Sequence, residues 1–472
     1  MRTLTVCFFL ICMSAFAQKQ GNVWYFGDSC GLDFSSGIPV ALTDGNIYTP
    51  TGTEGTATIC DSSGALLFYA NATTAWNKEH RVMPNGSGIQ GGASSTQGAF
   101  IVPKPGSNSL FYLFTTDEFQ NGLANGLRYS VIDMCLDNGL GDVIPGQKNI
   151  LLLDTVAEKM AGTCHSNGTD VWLVTHKFYS DAFYAFRISP GGIIDTVITH
   201  IGSYQPNNPG TGSAIGQLKI SPDGSRLALV YSNTAPSVTE LYDFDNSTGI
   251  VSGYVNLPAE GGEYGVSFSP DNSKLYTSTL NTASVFQYNL SAGSPAAIAA
   301  SKTLIFHNSL PMAGMQLANN GKIYIVNLTY MDVINDPNAA GTACNYTSHA
   351  IALGHNAWYG ITNFIDSYNY RNGVPCVPDE GCKPALGFPN VFTPNKDGVN
   401  DDFIPVEFRD VTNTSLRIYN RWGEEVFQGE PLHGWDGYNN QAACPEGIYF
   451  WVIDYTACDE QLQSTGFVTL LK

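Results

Sequence analysis

The chain has 472 residues, which is too long for one ordinary hydrophobic core, so two or more domains are expected. Charged residues make up 13% of it and aromatic residues 12%, and 49 residues are glycine, a composition that favours a turn-rich all-β protein over a coiled coil or a disordered chain. The net charge of −19 repels nucleic acids and anionic membranes, so neither is expected as a partner.

Residues 1–17 have the features of a signal peptide. Arg2 supplies a positive charge, residues 6–13 form a short apolar stretch, and Ala15-Phe16-Ala17 is a cleavage motif that precedes Gln18. The apolar stretch is too short to span a bilayer, and no later segment is apolar over a sufficient length. The mature protein is therefore expected to be exported and to have no transmembrane segment.

The cysteine content fits an oxidising compartment. Cleavage after Ala17 would remove Cys7 and Cys12 from the 11 cysteines and leave nine, an odd number. Disulfides are expected there, with at least one thiol left over. Cys376 and Cys382 lie six residues apart and could close a local loop. No spacing of cysteine and histidine is of the zinc-binding kind, so metal binding through sulfur is not expected.

A turn followed by a short β-rich run recurs along residues 21–370. The turns are built on Gly, Asn or Ser with Asp, as in Ser221-Pro222-Asp223-Gly224 and Ser269-Pro270-Asp271-Asn272. Each turn is predicted to begin a hairpin, because glycine and asparagine tolerate the positive φ of a tight turn. Six of these turns are marked by residues 64, 108, 168, 224, 272 and 321.

The spacing of these turns predicts the architecture. A period near 50 residues with about four strands per unit is typical of a β-propeller, and no copy shows the 3.6-residue apolar period of a helical solenoid. Residues 21–26 resemble a seventh hairpin half, which we expect to complete the blade that ends near residues 361–364 and so to close the ring. Residues 18–370 are predicted to form a propeller of seven blades, with six or eight as alternatives.

Two sets of motifs in this region resemble known propellers. The copies at residues 221–227 and 269–276 are similar to hairpins of WD40-like and lactonase-like propellers, a similarity that reflects turn chemistry. A second set recurs, in the same order, in a family of exported propellers that carry the gliding-motility-associated C-terminal domain. This set comprises Trp24-Tyr25-Phe26-Gly27, Gly31-Leu32-Asp33-Phe34, Leu67-Phe68-Tyr69, Trp76-Asn77, Val82-Met83-Pro84-Asn85-Gly86, Ser94-Ser95-Thr96-Gln97 and Ile101-Val102-Pro103-Lys104-Pro105-Gly106. The second resemblance implies architecture and export but no particular ligand.

The pattern changes after residue 370. Residues 371–386 interrupt the β pattern with proline and glycine and predict a linker. Short strands then follow one another closely over residues 387–472. The run at residues 447–453 is apolar on both faces, which predicts a central strand covered on both sides. About seven strands at this spacing predict a small Ig-like β-sandwich.

Residues 387–472 also resemble the type B sorting domain of type IX secretion. The resemblance begins at residues 388–401 and continues in order to residues 466–470, and Lys396 departs from it because the family usually has glycine there. It implies the type IX secretion machinery as a partner, and passage through the periplasm and across the outer membrane to the cell surface or the medium. The motif residues that carry it are Phe392, Thr393, Pro394, Asn395, Asp397, Gly398, Asn400, Asp401, Tyr419, Asn420, Arg421, Trp422, Gly423, Trp435, Asp436, Gly437, Gly447 and Tyr449.

Part of this motif is a candidate calcium site. Asn395, Asp397, Asn400 and Asp401 place four side-chain oxygens around Gly398, and hard oxygen ligands at such spacing could hold calcium. The alternative is that these residues fix the loop through hydrogen bonds from backbone to side chain. No glutamate stands where it would close a full EF-hand loop. Calcium is the one cofactor that the sequence suggests.

No catalytic set can be selected from the sequence. The nucleophile elbow, the phosphate-binding loop and the HExxH zinc motif are all absent from it. Its candidates for metal binding or acid–base chemistry are the scattered histidines His80, His165, His176, His307, His349 and His355. Its candidates for a glycosidase pair are Glu54, Asp117, Glu158 and Glu263, and nothing in their spacing selects two of them. Its candidates for a sugar-stacking surface are Trp76, Trp172 and Trp358, which would more often be core.

Two functions therefore remain open. The first is a binding or adhesion module, secreted or held at the outer-membrane surface, whose propeller engages a glycan or a protein. The second is a propeller enzyme, a lactonase-like or carbohydrate-active hydrolase that uses convergent side chains at the mouth of the channel. Because one fold hosts both activities, architecture does not choose between them, and the missing catalytic set favours binding.

Overall fold

The computed structural model describes residues 19–49, 52–204, 214–232, 238–367, 385–396, 400–409, 411–440, 442–457 and 460–472. The predicted signal peptide and residues 371–384 of the predicted linker lie outside these ranges. The chain folds into two compact units, and both are built almost entirely from β-strands. Among the described residues, no helix is long and apolar enough to cross a membrane.

The first unit is a seven-bladed propeller in the part of the chain that the structure describes. Its strands form one three-stranded sheet, four four-stranded sheets and two five-stranded sheets. In chain order they are β1 (Val23–Phe26), β2 (Cys30–Asp33), β3 (Val40–Leu42), β4 (Thr56–Cys60), β5 (Leu66–Asn71), β6 (Thr74–Asn77), β7 (Val82–Ser87), β8 (Ala99–Pro103), β9 (Leu110–Thr116), β10 (Leu127–Asp133), β11 (Asp142–Val143), β12 (Ile150–Leu153), β13 (Val156–Cys164), β14 (Val171–Lys177), β15 (Ala182–Ser189), β16 (Gly192–His200), β17 (Leu218–Ile220), β18 (Arg226–Tyr231), β19 (Val238–Asp245), β20 (Ile250–Leu257), β21 (Glu263–Phe268), β22 (Lys274–Thr279), β23 (Ser284–Asn289), β24 (Thr303–His307), β25 (Met315–Leu317), β26 (Ile323–Asn327), β27 (Tyr330–Ile334), β28 (Tyr346–Ala352) and β29 (Thr362–Asn363).

The helical segments of the described chain are short. One α-helix, α1 (Pro295–Ala300), begins at Ser294, whose side chain caps the N–H of Ala297. The remaining segments are single 3-10 turns at Phe119–Asn121, Asp137–Gly139, Pro145–Gln147, Gly341–Cys344 and, in the second unit, Pro431–His433.

The predicted turn markers lie between the first and second strands of six sheets. Gly64, Gly168, Gly224, Asn272 and Gly321 all have φ between 62° and 93°, the left-handed region that glycine and asparagine favour. At the turn marked by residue 108, Gly106 has the positive φ instead, at 73°. The repeat is therefore confirmed as a series of hairpins.

The ring closes differently from the prediction. Residues 21–26 and 361–364 were expected to share one blade, but β1 pairs with β2, while β29 pairs in parallel with β4. Threonine side chains explain the difference. Thr56 Oγ1 donates to the carbonyl of Tyr25 at 2.9 Å, and Thr58 Oγ1 accepts from the Tyr25 N–H at 3.0 Å. The backbone N–H and carbonyl of Tyr25 are thereby satisfied without a strand partner on that side of β1.

The first strands of successive sheets form the centre of the propeller. Strands β4, β8, β13, β17, β21 and β25 contact one another in sequence, and each is buried along its whole length. Neighbouring blades cover both faces of these strands, and the buried side chains include polar and charged ones such as Glu158 and Lys219. Outer strands such as β16 are instead largely exposed.

The second unit is a small sandwich around one core. A five-stranded sheet has the order β31-β38-β37-β33-β34, and β30 pairs with β32 and β35 with β36. The core contains Phe392, Phe403, Leu416, Trp435 and Ile453, among others. The strands are β30 (Ala385–Gly387), β31 (Val391–Phe392), β32 (Glu407–Arg409), β33 (Thr412–Tyr419), β34 (Glu425–Gly429), β35 (Tyr438–Asn439), β36 (Ala442–Ala443), β37 (Gly447–Ala457) and β38 (Glu460–Leu470).

Two details of this unit correct the predictions. Ala385 and Leu386, expected to end the linker, belong to β30, because their backbone pairs with Arg409 and Phe408. The central strand β37 was expected to be covered on both faces, but Ile448 and Phe450 are exposed. The alternation of buried and exposed side chains identifies a sheet that is covered on one face.

Candidate functional site

The candidate histidines do not converge. His165 stacks on Trp172, and its Nδ1 accepts from the N–H of Asn167 at 2.9 Å. His176 is fully buried and meets the ring of Phe183 edge-on. Within the described ranges, no three His, Cys, Asp or Glu side chains lie close enough to hold a metal ion together.

The structure separates the four candidate carboxylates into two kinds. Asp117 accepts from the Asn121 side chain at 2.8 Å and the Asn125 N–H at 2.7 Å, and Glu263 accepts from the Gly261 N–H at 3.1 Å. These two stabilise their own loops. Glu54 and Glu158 instead lie at one end of the propeller axis.

That end of the axis is formed by the segments that lead into the first strands. Backbone hydrogen bonds join these segments across neighbouring blades. In each of them the N–H of one residue donates to the carbonyl of another. The pairs, donor first, are Glu54 and Ala93 (3.0 Å), Gln97 and Glu158 (3.2 Å), Glu158 and Ala214 (3.1 Å), Gln217 and Tyr264 (2.8 Å), and Gly314 and Tyr359 (3.2 Å). We call the side chains gathered there the mouth; they are Glu54, Ser94, Thr96, Glu118, Glu158, Tyr264 and Tyr359.

A hydrogen bond between Glu54 and Tyr264 connects two blades that are far apart in the sequence. The Tyr264 hydroxyl donates a hydrogen bond to Glu54 Oε2, and Ser94 Oγ donates one to Glu54 Oε1 at 3.2 Å. The rings of Tyr264 and Tyr359 lie 6.0 Å apart. Glu54, Ser94 and Tyr359 are half-buried, whereas Tyr264 is buried.

The mouth favours a protonated Glu54. Burial, and then the nearby carboxylate of Glu158, raise the pKa of Glu54 to about 8, and the hydrogen bonds from Tyr264 and Ser94 oppose the shift. Glu118, whose Oε2 accepts from the Ser94 N–H at 2.8 Å, adds to the repulsion. At neutral pH Glu54 can therefore donate as well as accept a hydrogen bond.

Glu158 and Lys159 lie in a bulge of β13 and point into different blade interfaces. The pairing of β13 with β14 shifts register between Val156 and Met160. Glu158 accepts from the Thr96 N–H (2.8 Å), the Thr96 hydroxyl (2.9 Å) and the Phe119 N–H (2.6 Å). Both of its oxygens are thus engaged, and it is fully buried.

The Lys159 ammonium lies on the other side of the bulge. It donates to the carbonyls of Ala214 (3.0 Å), Ile215 (2.7 Å) and Gly216 (2.8 Å). Burial lowers the pKa of Lys159 to about 7, which the carboxylates of Glu158 and Glu240 oppose. Three carbonyl acceptors match the three donors of an ammonium group, so we assign the charged form.

Two glutamines bridge the inner strands along the axis. Gln97 donates to the carbonyl of Met160 at 2.8 Å and accepts from the Leu218 N–H at 2.7 Å. Gln217 accepts from the N–H groups of Val266 at 3.2 Å and Met315 at 2.9 Å. The side chains of these glutamines therefore occupy the centre of the propeller between the inner strands.

The candidate tryptophans are mostly core residues. Trp76 and Trp172 are buried, as the alternative interpretation expected. Trp358 is partly exposed, and its Nε1 donates to Asp28 at 2.7 Å. Trp358 precedes the mouth residue Tyr359 in the chain, but its side chain is bound to Asp28.

The candidate calcium loop is described in part. Asp397 and Gly398 lie outside the described residues. Asp401 Oδ1 accepts from the Lys396 N–H at 2.5 Å, a contact of the loop-fixing kind. Lys396 has φ of 64°, so it adopts the conformation for which the related domains use glycine. Calcium binding here stays a prediction.

The motif residues of the second unit fall into two groups. Phe392, Trp435 and Tyr449 are core residues, and the rings of Phe392 and Tyr449 lie 5.3 and 4.9 Å from that of Trp435. Gly437 has φ of 77°, and a Cβ there would lie 3.0 Å from Leu470. The remaining described motif residues lie in loops, turns and strand ends around this core; they are Thr393, Pro394, Asn395, Asn400, Asp401, Tyr419, Asn420, Arg421, Trp422, Gly423, Asp436 and Gly447.

Comparisons with known proteins match the second unit to a family. Residues 386–470 match the CHU_C type IX secretion signal domain. No curated protein is significantly similar to the chain.

Several solved structures are similar to the chain at low sequence identity. A proposed 6-phosphogluconolactonase of Bacteroides uniformis is 11% identical with a TM-score of 0.42, over 72% of this chain and 100% of that one. Hsv2 of Kluyveromyces lactis is 9% identical with a TM-score of 0.38, over 67% and 90%. A protein of Lactobacillus plantarum is 11% identical with a TM-score of 0.37, over 82% and 94%.

Proposed function

We propose that this chain, in which residues 386–470 are a type IX secretion signal domain, is exported and then binds a glycan at the mouth of its propeller. The signal domain supports export through the type IX machinery to the cell surface or the medium. In this proposal residues 18–370 are the binding module and residues 387–472 the sorting domain. The glycan is favoured over a protein ligand by the chemistry of the mouth.

The observation that carries the binding proposal is the hydrogen bond from Tyr264 to Glu54 beside the half-buried ring of Tyr359. A neutral carboxyl and hydroxyls both donate and accept, as sugar hydroxyls do. An aromatic ring beside them offers a face for the C–H groups of a sugar. Polar groups that converge near one aromatic ring are typical of small-molecule sites.

The engagement of Glu158 favours binding over hydrolysis. A glycosidase needs two carboxyl groups that face the substrate. Both oxygens of Glu158 accept hydrogen bonds from Thr96 and Phe119, and the side chain is fully buried. The alternative, a carbohydrate-active hydrolase, would have to use the half-buried Glu118 as base and Glu54 as acid.

We expect purified protein comprising residues 18–472 to bind members of a glycan array, and Tyr359→Ala to lower that binding by about tenfold or more because the aromatic face is lost. Tyr330→Ala is the matched control, since Tyr330, at the start of β27, is 37% exposed and is not a residue of the mouth. Binding to no glycan, or equal losses in the two variants, would contradict the proposal. Release of a cleaved product would indicate the hydrolase.

The same array gives a test of the role of Glu54. Ionisation of Glu54 above about pH 8 removes a donor and adds a negative charge beside Glu118, so binding by the wild type should fall as the pH rises through that value. Glu54→Gln cannot ionise, and its binding should be flat across the same range. A pH profile unchanged by this substitution would show that Glu54 does not face the ligand.

A further inference from the structure

A surface cavity at one end of the second unit is lined in part by motif residues. It has a volume of about 530 Å³. Its walls come from the turn between β33 and β34 and from the segment that leads into β37. The lining residues used below are Arg421, Trp422, Val426, Glu446, Ile448 and Tyr449. The core of the unit does not include Arg421 or Trp422.

The turn that carries Trp422 is fixed from within. Asn420 Oδ1 accepts from the N–H groups of Trp422 at 2.9 Å and Glu424 at 3.1 Å, and Asn420 Nδ2 donates to the Glu424 carboxylate at 2.8 Å. Gly423 completes the turn with φ of 81°. The ordered turn nevertheless leaves Trp422 81% exposed. Ile448, which is 52% exposed, lines the same cavity, so Trp422 belongs to an exposed apolar patch, and such patches mark sites of contact with other molecules.

Arg421 is the one basic residue among the described residues that line the cavity, in a domain that is acidic. Acidic residues outnumber basic ones over residues 386–472, where the basic residues are Lys396, Arg409, Arg417, Arg421 and Lys472. Arg417 is paired with Asp454 at 2.5 Å, but no ion pair of Arg421 is found among the described residues. Glu446, on the same cavity wall, has its Oε1 engaged by the N–H of Lys472 at 2.7 Å.

We infer that the cavity and the Arg421–Trp422 turn are the surface by which a protein of the export machinery holds the signal domain. The partner places an apolar side chain in the cavity, against Trp422, Val426 and Ile448, and a carboxylate on Arg421. Tryptophan and arginine are the residues that most often dominate the free energy of binding at protein interfaces. The inference rests on the proposed export function and assigns it to particular residues.

The test uses the full chain in its own host. Trp422→Ala and Arg421→Glu are each expected to lower the amount of chain at the surface and in the medium by about tenfold or more, with accumulation in the periplasm. Leu432→Ala is the control, since Leu432 is 62% exposed in the same unit and does not line the cavity. A photoreactive residue placed at position 422, but not at 432, should crosslink to a component of the type IX machinery.

The outcomes separate this inference from the proposed export function. Export of both variants at the wild-type level, retention of Leu432→Ala to the same extent, or lack of a crosslink at position 422 to the machinery would each overturn the inference. If a chain cut after residue 384 is retained while both variants are exported, the domain is the signal but this surface is not its recognition site. Unchanged unfolding curves of the purified variants exclude loss of the fold as the cause.

Discussion

Replacement of Lys159 by methionine is expected to lower the free energy of unfolding of the first unit by about 3–5 kcal/mol. The ammonium donates to three backbone carbonyls, of Ala214, Ile215 and Gly216, and it is fully buried. Methionine keeps the apolar stem but leaves the carbonyls without these donors, and each unsatisfied buried acceptor costs about 1–3 kcal/mol. The negative charge of Glu158 also loses its neighbour.

Lys177→Met is the matched control for this measurement. Lys177 pairs with Asp154 at 3.1 Å, but both side chains are substantially exposed, so its replacement should cost about 1 kcal/mol or less. Urea unfolding followed by tryptophan fluorescence measures both variants. If both substitutions lower the free energy of unfolding by the same small amount, Lys159 does not stabilise the β13 bulge.

Replacement of Trp435 by alanine is expected to destabilise the second unit by about 3–5 kcal/mol. Trp435 is 0% exposed, packs on Phe392 and Tyr449, and donates from Nε1 to the Tyr438 carbonyl at 2.9 Å. Because a domain of this size has one small core and a total stability of about 5–15 kcal/mol, the loss should unfold a large fraction of the unit near physiological temperature. Limited proteolysis of the intact chain measures that fraction.

Trp422→Ala is the comparison for Trp435→Ala, because it makes the same tryptophan-to-alanine change in the same unit. Trp422 lies outside the core, so its removal should change stability by about 0.5 kcal/mol or less. Trp435→Ala should therefore lower export through unfolding, whereas Trp422→Ala should lower it with the fold intact. If Trp435→Ala resists protease as the wild type does, the description of this core is wrong.

The hairpins of the propeller were predictable because their signals are local. Asp223-Gly224 and Asp271-Asn272 place a residue that tolerates positive φ within a few positions of a side chain that closes the turn. A turn of the same kind at Gly27 joins β1 to β2, but the contact of β1 with β4 is made by the side chains of Thr56 and Thr58, which no periodic pattern reveals.

The mouth could not be read from the sequence, because its residues come from separate blades. Glu54 and Tyr264 are 210 positions apart, and their contact exists only once the ring is closed. Glu54 and Glu158 were candidates, but Glu118, Lys159 and Tyr264 were not identified. The bulge in β13 turns Glu158 and Lys159 into different interfaces, and a strand pattern with a period of two does not predict such an irregularity.

The second unit shows a similar limit. The structure has a turn within the motif at residues 419–423, but the motif does not distinguish a core tryptophan from an exposed one. Trp435 and Trp422 are both motif residues, yet one anchors the core and the other lies in water. Only the packing of the sheet separates their roles.

The most direct test of export by the signal domain is a cut of the chain after residue 384, just before β30 begins at Ala385. The full-length and the truncated chain are produced in the native host, and the medium, the cell surface and the periplasm are assayed for each. Export through the type IX domain predicts that the truncated chain accumulates, folded, in the periplasm. A truncated chain that still reaches the surface or the medium would contradict the account.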